Sequence, residues 1–288
     1  MKRSIIGWVV FLFLVGILIR LLPSPPGLFY FFKGKMAESS HDPKAAAEAF
    51  QAAVDSDPQF VRGYVELGSC YLALKQPLAA EQALRKALSL SNDACAACGL
   101  GLVYYNTTRY DEAEQAFKQA MKFDPNDACA YEGAGRLYYD QNRYQETIDA
   151  FTQAIKLHPR ATSYHYLGNT YNSLQRYNEA LDAYQQLLKI NPRYEDVYAD
   201  QGMSYYWLKR YPEAAAAFRR AAELQDEDPR AYFGLGLVQL ALGQKQKAME
   251  QYRLLQGFEP QWAALLLDEI NKGEPKVIPQ PKSDKPLS

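Results

Sequence analysis

Apolar residues recur with a helical period along most of the chain, and the stretch that ends at Pro192 shows the pattern most plainly. Leu167 and Tyr171 lie four residues apart and therefore share one helix face. After a polar break, a second apolar stripe begins at Ala180 and continues at Tyr184. Pro192 ends it, because the residue before a proline is pushed out of helical geometry. The pattern predicts two antiparallel helices joined by a turn.

The same pattern returns at an almost constant spacing. Units begin at residues 61, 94, 128, 161, 195 and 229, so they are spaced 33 or 34 residues apart. The eighth position of every unit is a glycine: Gly68, Gly101, Gly135, Gly168, Gly202 and Gly236. The chain thus resembles the tetratricopeptide repeat family, whose signature is W-x2-L-G-x2-Y, A-x3-F and P on a 34-residue period. Tyrosine or alanine stands in place of the tryptophan of that motif.

The resemblance implies an all-α fold, a right-handed superhelical solenoid of antiparallel helix pairs with six or seven repeats. Residues 23–60 are predicted to hold a linker and a degenerate first repeat. Residues 261–271 are predicted to form a helix that covers the end of the array, as solenoid ends require. The six regular repeats are predicted at 61–93, 94–127, 128–160, 161–194, 195–228 and 229–260. Residues 272–288 are rich in proline and charge, which predicts a disordered tail.

Residues 1–22 form a separate apolar segment ahead of the array. No charged residue lies between Ile5 and Ile19, and Arg20 follows at the end, where its side chain can reach the headgroups. A cleaved signal peptide is the alternative, since the start is basic. No Ala-x-Ala-like cleavage site follows, however, and several prolines stand where a peptidase would cut. We therefore expect an uncleaved transmembrane helix.

Charges on the two flanks of this segment nearly balance, so the side of the membrane is less strongly indicated. Lys2 and Arg3 favour a cytoplasmic amino terminus, whereas Arg20, Lys33 and Lys35 lie on the other flank. The expected arrangement is a single-pass protein of a bacterial inner membrane, with the amino terminus inside and the repeats outside the cytoplasm. The alternative is an organelle membrane with the repeats in the cytosol.

Composition and the scarcity of reactive groups argue against catalysis. The net charge is −1, and the chain has no basic stripe of the kind that binds nucleic acid. The three histidines, His41, His158 and His165, are scattered without a partner at a triad spacing. The sequence therefore predicts a protein that is not an enzyme, with no cofactor, no small-molecule substrate and no nucleic-acid partner.

The family resemblance also implies where a partner would bind, because positions 2, 5, 9, 12 and 13 of each first helix line the concave surface. The predicted partner-binding residues are Tyr105, Arg136, Tyr139, His165, Asn169, Asn172, Met203 and Tyr206. Aromatic, arginine and amide side chains suit a peptide or helix of another protein. The expected function is a membrane-anchored scaffold or adaptor for assembling or recruiting a protein complex.

Three cysteines fall on the same predicted surface. Cys95 and Cys98 form a C-x-x-C, and Cys129 occupies the position of Cys95 one repeat later. They are either small tolerated side chains, or a disulfide or redox group, or zinc ligands. Zinc is disfavoured because a structural site needs four ligands and no fourth is evident. The alternative function is accordingly a thiol-active factor, redox or metal-binding, that uses these three residues.

Overall fold

The computed structural model describes residues 27–272, within which every regular element is an α-helix. The predicted anchor at residues 1–22, the linker up to residue 26 and the tail from residue 273 lie outside the described residues. The chain divides into two compact units, of which the first ends at Leu157 and the second begins at His158. The prediction of an all-α array of paired helices is confirmed.

The first unit has four helix pairs among its described residues, and each helix packs against the next one along the chain. The helices are α1 (Leu28–Ser39), α2 (Pro43–Ser56), α3 (Val61–Ala73), α4 (Pro77–Leu90), α5 (Ala94–Asn106), α6 (Tyr110–Phe123), α7 (Ala128–Asp140) and α8 (Tyr144–Leu157). The pair α1 and α2 occupies the region predicted as a degenerate repeat.

The second unit has three helix pairs and one further helix among its described residues. The helices are α9 (Ala161–Ser173), α10 (Tyr177–Ile190), α11 (Val197–Trp207), α12 (Tyr211–Leu224), α13 (Pro229–Ala241), α14 (Lys245–Phe258) and α15 (Pro260–Lys272). The last helix, α15, packs against both α13 and α14. Leu266 is fully buried there and fills the space beside the Gly236 backbone, so α15 covers the end of this unit.

The repeated glycine marks the place where the two helices of a pair come closest. A Cβ atom added to Gly101 would stand 2.5 Å from the Phe117 ring, and one added to Gly133 of the next pair would stand 2.3 Å from the same ring. Phe117 is completely buried. Phe117 is thus held between the first helices α5 and α7, and glycine leaves room for its ring at both positions. Phe218 lies in the same way between Gly202 and Gly234.

Aspartate begins many of the first helices. The Asp93 carboxylate accepts a hydrogen bond from Ala96 N at 2.8 Å, and Asp127 accepts one from Cys129 N at 3.0 Å. Asp228 caps the first helix α13 in the same way, and Asp42 caps the second helix α2. Each cap satisfies a backbone N–H that has no partner within the helix.

The turn inside a pair is held by an arginine that stacks on the preceding tyrosine. The Arg143 guanidinium lies 4.3 Å from the centre of the Tyr138 ring and forms an ion pair with Glu114 at 2.7 Å. The hydrogen bond from Arg143 lowers the pKa of Glu114 to about 2. Arg109 makes the equivalent contacts with Tyr104 and Glu81 in the preceding repeat. The arginine therefore ties the turn of one repeat to the second helix of the repeat before it.

Candidate functional site

The inner face of the first unit, defined here by Tyr105, Glu132, Arg136 and Tyr139, lies on the first helices α5 and α7. Tyr105, Arg136 and Tyr139 are partly exposed, so a partner could reach them. The Tyr105 hydroxyl donates a hydrogen bond of 2.5 Å to the Asp140 carboxylate of the next repeat. Glu132 is almost fully buried. The partly exposed groups of this face are two phenols and a guanidinium, which can pair with a partner's backbone and with negative charge.

The inner face of the second unit, defined here by His165, Asn169, Asn172, Met203 and Trp207, contains a chain of hydrogen bonds. The Tyr184 hydroxyl donates to Asn169 Oδ1 at 2.6 Å and accepts from Asn172 Nδ2 at 2.9 Å. Ser204 Oγ donates to Asn172 Oδ1 at 2.8 Å. Because Tyr184 and Ser204 are buried, these bonds order both asparagine amides from beneath.

His165 belongs to the same chain. Its Nε2 lies 2.8 Å from Asp200 Oδ2, and its Nδ1 lies 3.4 Å from the Tyr194 hydroxyl. Asn169 is the further neighbour of the ring, with its Nδ2 3.4 Å from Nε2. The His165 ring is thus held by a carboxylate, a phenol and an amide, which orient it.

Tyr206 differs from the prediction. Its side chain is only 7% exposed and joins the apolar cluster that includes Phe233 and Leu237. The Tyr211 ring packs against it, with the centroids 5.8 Å apart, and burial raises the pKa of Tyr206 to about 12. Tyr206 is therefore part of the core of the second unit, and we remove it from the set of partner-binding residues.

A charged cluster around Arg230, which the sequence analysis did not predict, adjoins the inner face of the second unit. Arg230 lies 2.8 Å from Asp196, 3.0 Å from Asp228 and 3.9 Å from Asp200. Burial alone would lower the pKa of Arg230, but the carboxylates, led by Asp200, hold it above its ordinary value. Arg230 is position 2 of the last repeat, so extending the family positions by one repeat would have found it.

The structure brings two of the three predicted cysteines together. Cys98 and Cys129 have their sulfur atoms 2.7 Å apart, while Cys95 is exposed one turn before Cys98. The pKa of Cys98 is raised, chiefly by the contact with Cys129 and next by burial. The pKa of Cys95 is also raised, chiefly by burial and next by the negative charges of Asp93 and Asp127. Raised pKa values leave little thiolate at neutral pH, so this environment does not favour a redox catalyst.

The opposite side of the first unit carries a cleft of about 430 Å³ between α4, α5 and α6. Its lining includes the exposed side chains Gln115 and Gln119. None of the inner-face residues contributes to it. These two glutamines therefore provide a control surface on the same unit.

Two further findings apply to the described residues. Between residues 27 and 272, no group of three or more His, Cys, Asp or Glu side chains is placed to hold a metal ion. In the same range, no helix has the length and apolar character needed to cross a membrane.

Comparison with known families identifies the class of protein. The family model described as Cilia and flagella-associated protein 70 C-terminal domain matches residues 33–186, which is more than half of the chain. Models described as Tetratricopeptide repeat and TPR repeat match residues 199–261 and 168–208. The chain belongs to the tetratricopeptide repeat family. No curated protein matches it in sequence.

Solved structures show the same fold. A chain of the APC/C hetero-tetramer Cut9–Hcn1 is similar with a TM-score of 0.67 at 17% identity, over 79% of this chain and 45% of that one. PilF of Pseudomonas aeruginosa has a TM-score of 0.64 at 21% identity, over 74% and 97%. YrrB, described as a TPR protein with an unusual peptide-binding site, has a TM-score of 0.56 at 20% identity, over 65% and 97%. The chain spans less than half of the Cut9–Hcn1 chain, and at these identities the likeness concerns the fold.

Proposed function

We propose that the protein is a membrane-anchored scaffold that holds a segment of a partner protein against the inner faces of its first helices. The observation that carries this proposal is the hydrogen-bonded chain through Asn169, Tyr184 and Asn172. Side chains that are ordered before binding lose less conformational entropy when a partner arrives. Tetratricopeptide proteins typically act as protein-interaction scaffolds, and YrrB, of the same fold, is described with a peptide-binding site.

The chemistry of each inner face, taken by itself, favours an extended or helical peptide of mixed polarity. Tyr105 and Tyr139 offer broad contact surfaces at low entropic cost, and Arg136 can donate to backbone carbonyls or carboxylates. On the second face, His165 is paired with an aspartate, which disfavours a strongly acidic segment at that point. A purely acidic peptide is therefore not the expected ligand.

The exposed apolar face of α1 supports attachment to a membrane. Phe29, Phe32 and Met36 are 71%, 60% and 71% exposed and follow each other at helical spacing. They lie directly after the segment whose stretch from Ile5 to Ile19 has no charge. Aromatic side chains favour the interface between lipid and water. In the proposed arrangement α1 rests on the bilayer, and the repeats lie on the side opposite the amino terminus, outside the cytoplasm.

Comparing matched variants in native membranes tests the binding role. Crosslinking followed by affinity purification and quantitative mass spectrometry should recover at least about 10-fold less of a specific partner with Arg136→Ala/Tyr139→Ala, because such anchors typically contribute more than 1 kcal/mol each. The control Gln115→Ala/Gln119→Ala, in the cleft on the opposite side, should recover it at the wild-type level. Equal recovery by both variants would remove the inner face of the first unit from the binding site.

Labelling of Cys95 tests the proposed side of the membrane. Cys95 is exposed, so a Cys98→Ser/Cys129→Ser variant leaves it as the reactive site among the described residues, Cys70 being buried. A membrane-impermeant maleimide added to intact cells or spheroplasts should label it before lysis. Labelling that begins only after lysis would place the repeats in the cytosol, which is the alternative topology.

A further inference from the structure

Two cysteine side chains from neighbouring repeats lie close together in the first unit. Cys98 lies on α5, and Cys129 lies in the first turn of α7, with a distance of 2.7 Å between the sulfur atoms. Cys98 is 2% exposed, whereas Cys129 faces solvent. The Asp127 cap accepts a hydrogen bond from the backbone N–H of Cys129, which fixes the start of α7 beside Cys98.

We propose that Cys98 and Cys129 form a disulfide that links the first helices of two consecutive repeats. A disulfide bond is about 2.05 Å long, so the sulfur atoms need to approach by less than about 1 Å. Rotation of the two side chains can supply a shift of this size. The proposal rests on the geometry of the first unit and needs no partner. In the cell it rests on the proposed membrane side, because disulfides persist in oxidising compartments outside the cytoplasm.

A low-molecular-weight disulfide such as oxidised glutathione supplies the oxidant. The exposed Cys129 loses its proton to water and attacks one glutathione sulfur, which forms a mixed disulfide and releases one glutathione thiolate. Cys98 then loses its proton and attacks Cys129 Sγ, which forms the internal disulfide and releases the second thiolate. Two electrons pass to the oxidant, and the two protons convert the thiolates into two molecules of reduced glutathione.

The environment suits a lasting cross-link better than a cycling redox centre. Cys98 is buried, so a reductant reaches the bond only from the Cys129 side. In an oxidising compartment the disulfide would therefore persist.

The cross-link would stabilise the face on which a partner is expected to bind. Tyr105 lies on α5, and Arg136 and Tyr139 lie on α7, so the bond connects the two helices that carry this face. In a solenoid each repeat contacts only its neighbours, so two adjacent repeats are held together by the interface between them. A covalent link between α5 and α7 opposes that opening and fixes the spacing of the inner-face side chains.

Peptide mapping of the full-length protein in detergent tests the proposal. After treatment with oxidised glutathione and alkylation with N-ethylmaleimide under denaturing conditions, digestion should yield a peptide pair joined through Cys98 and Cys129, lighter by two hydrogens than the reduced pair. The oxidised protein should melt a few degrees above the same protein reduced with dithiothreitol. The Cys95→Ser variant should keep both results, and Cys98→Ser should lose both.

Four outcomes would overturn the proposal. They are full alkylation of Cys98 and Cys129 after oxidation, a glutathione adduct on Cys129 that does not proceed to the internal bond, a bond that involves Cys95, and dimers joined through Cys129 on non-reducing gels. Peptide mapping of the wild-type protein distinguishes these outcomes without relying on the folding of any variant.

Discussion

Replacing Gly168 by alanine is expected to destabilise the second unit. The added Cβ atom would stand 2.3 Å from Tyr184 Cε1, whereas carbon atoms pack at about 3.5–4.0 Å. The ring must therefore move by more than about 1 Å. It has little freedom to do so, because it is completely buried and its hydroxyl bonds Asn169 and Asn172.

The expected cost follows from three contributions. Overpacking of a well-packed core costs about 1–3 kcal/mol. Weakening the two hydrogen bonds of the Tyr184 hydroxyl adds up to about 1 kcal/mol each. The better helix propensity of alanine offsets about 1 kcal/mol of this cost. We expect Gly168→Ala to lower the free energy of unfolding by about 2 kcal/mol.

Urea unfolding followed by tryptophan fluorescence measures this cost. In a chain lacking residues 1–26, the tryptophans are Trp207 and Trp262, both in the second unit, so the signal reports on that unit. Gly257→Ala is the matched control, because Gly257 is a helical glycine in the same unit with no atom within 4 Å of an added Cβ. It should leave stability unchanged or raise it slightly.

A second background separates the clash from a general effect of the substitution. If Tyr184 is first replaced by alanine, the ring is gone, and Gly168→Ala should then cost much less than in the wild-type protein. An equal cost in both backgrounds, or a Gly168→Ala variant as stable as the Gly257→Ala control, would refute the proposed packing and the repeat register.

Three further predictions follow. Asn172→Ala should lower the stability of the second unit by about 1 kcal/mol or more, because two buried hydroxyl groups lose a partner; unchanged urea unfolding would contradict this. Arg143 depresses the pKa of Glu114 to about 2 in the folded protein, so the contribution of Glu114 is fully present above its ordinary pKa of 4.5 and is lost as the pH falls towards 2. Glu114→Gln should flatten the decrease in stability over that interval, and a decrease as steep as in the wild-type protein would contradict this. The full-length protein should stay in the membrane pellet through a carbonate wash and the chain lacking residues 1–26 should not; a mature amino terminus near residue 24 would rule out the anchor.

The repeat register was predictable because it depends on spacings that the sequence displays directly. Glycine at the eighth position of each unit predicts close helix crossing, and the structure places the Phe117 ring between Gly101 and Gly133. The positive φ of Thr108 in the turn was not predictable, because glycine is the residue expected at such a position and threonine gives no signal for it.

The inner faces were only partly predictable from family positions. Those positions identify the side of the helix on which a residue lies. They do not predict how buried its side chain is, because burial depends on the neighbouring helices. Tyr206 therefore differs from Tyr139, which holds the same position two repeats earlier, because an apolar cluster encloses it. The hydrogen bonds of Asn172 were likewise hidden, because its partners Tyr184 and Ser204 lie on two other helices.

The most direct test of the scaffold role is site-specific photo-crosslinking in native membranes. A photoreactive phenylalanine analogue replaces Tyr139 on the inner face of the first unit in one variant and Gln119 in the cleft on the opposite side in another. Irradiation followed by mass spectrometry should give a partner adduct at Tyr139 and none at Gln119. Adducts of equal yield at both positions, or an adduct at Gln119 alone, would contradict a partner held on the inner face.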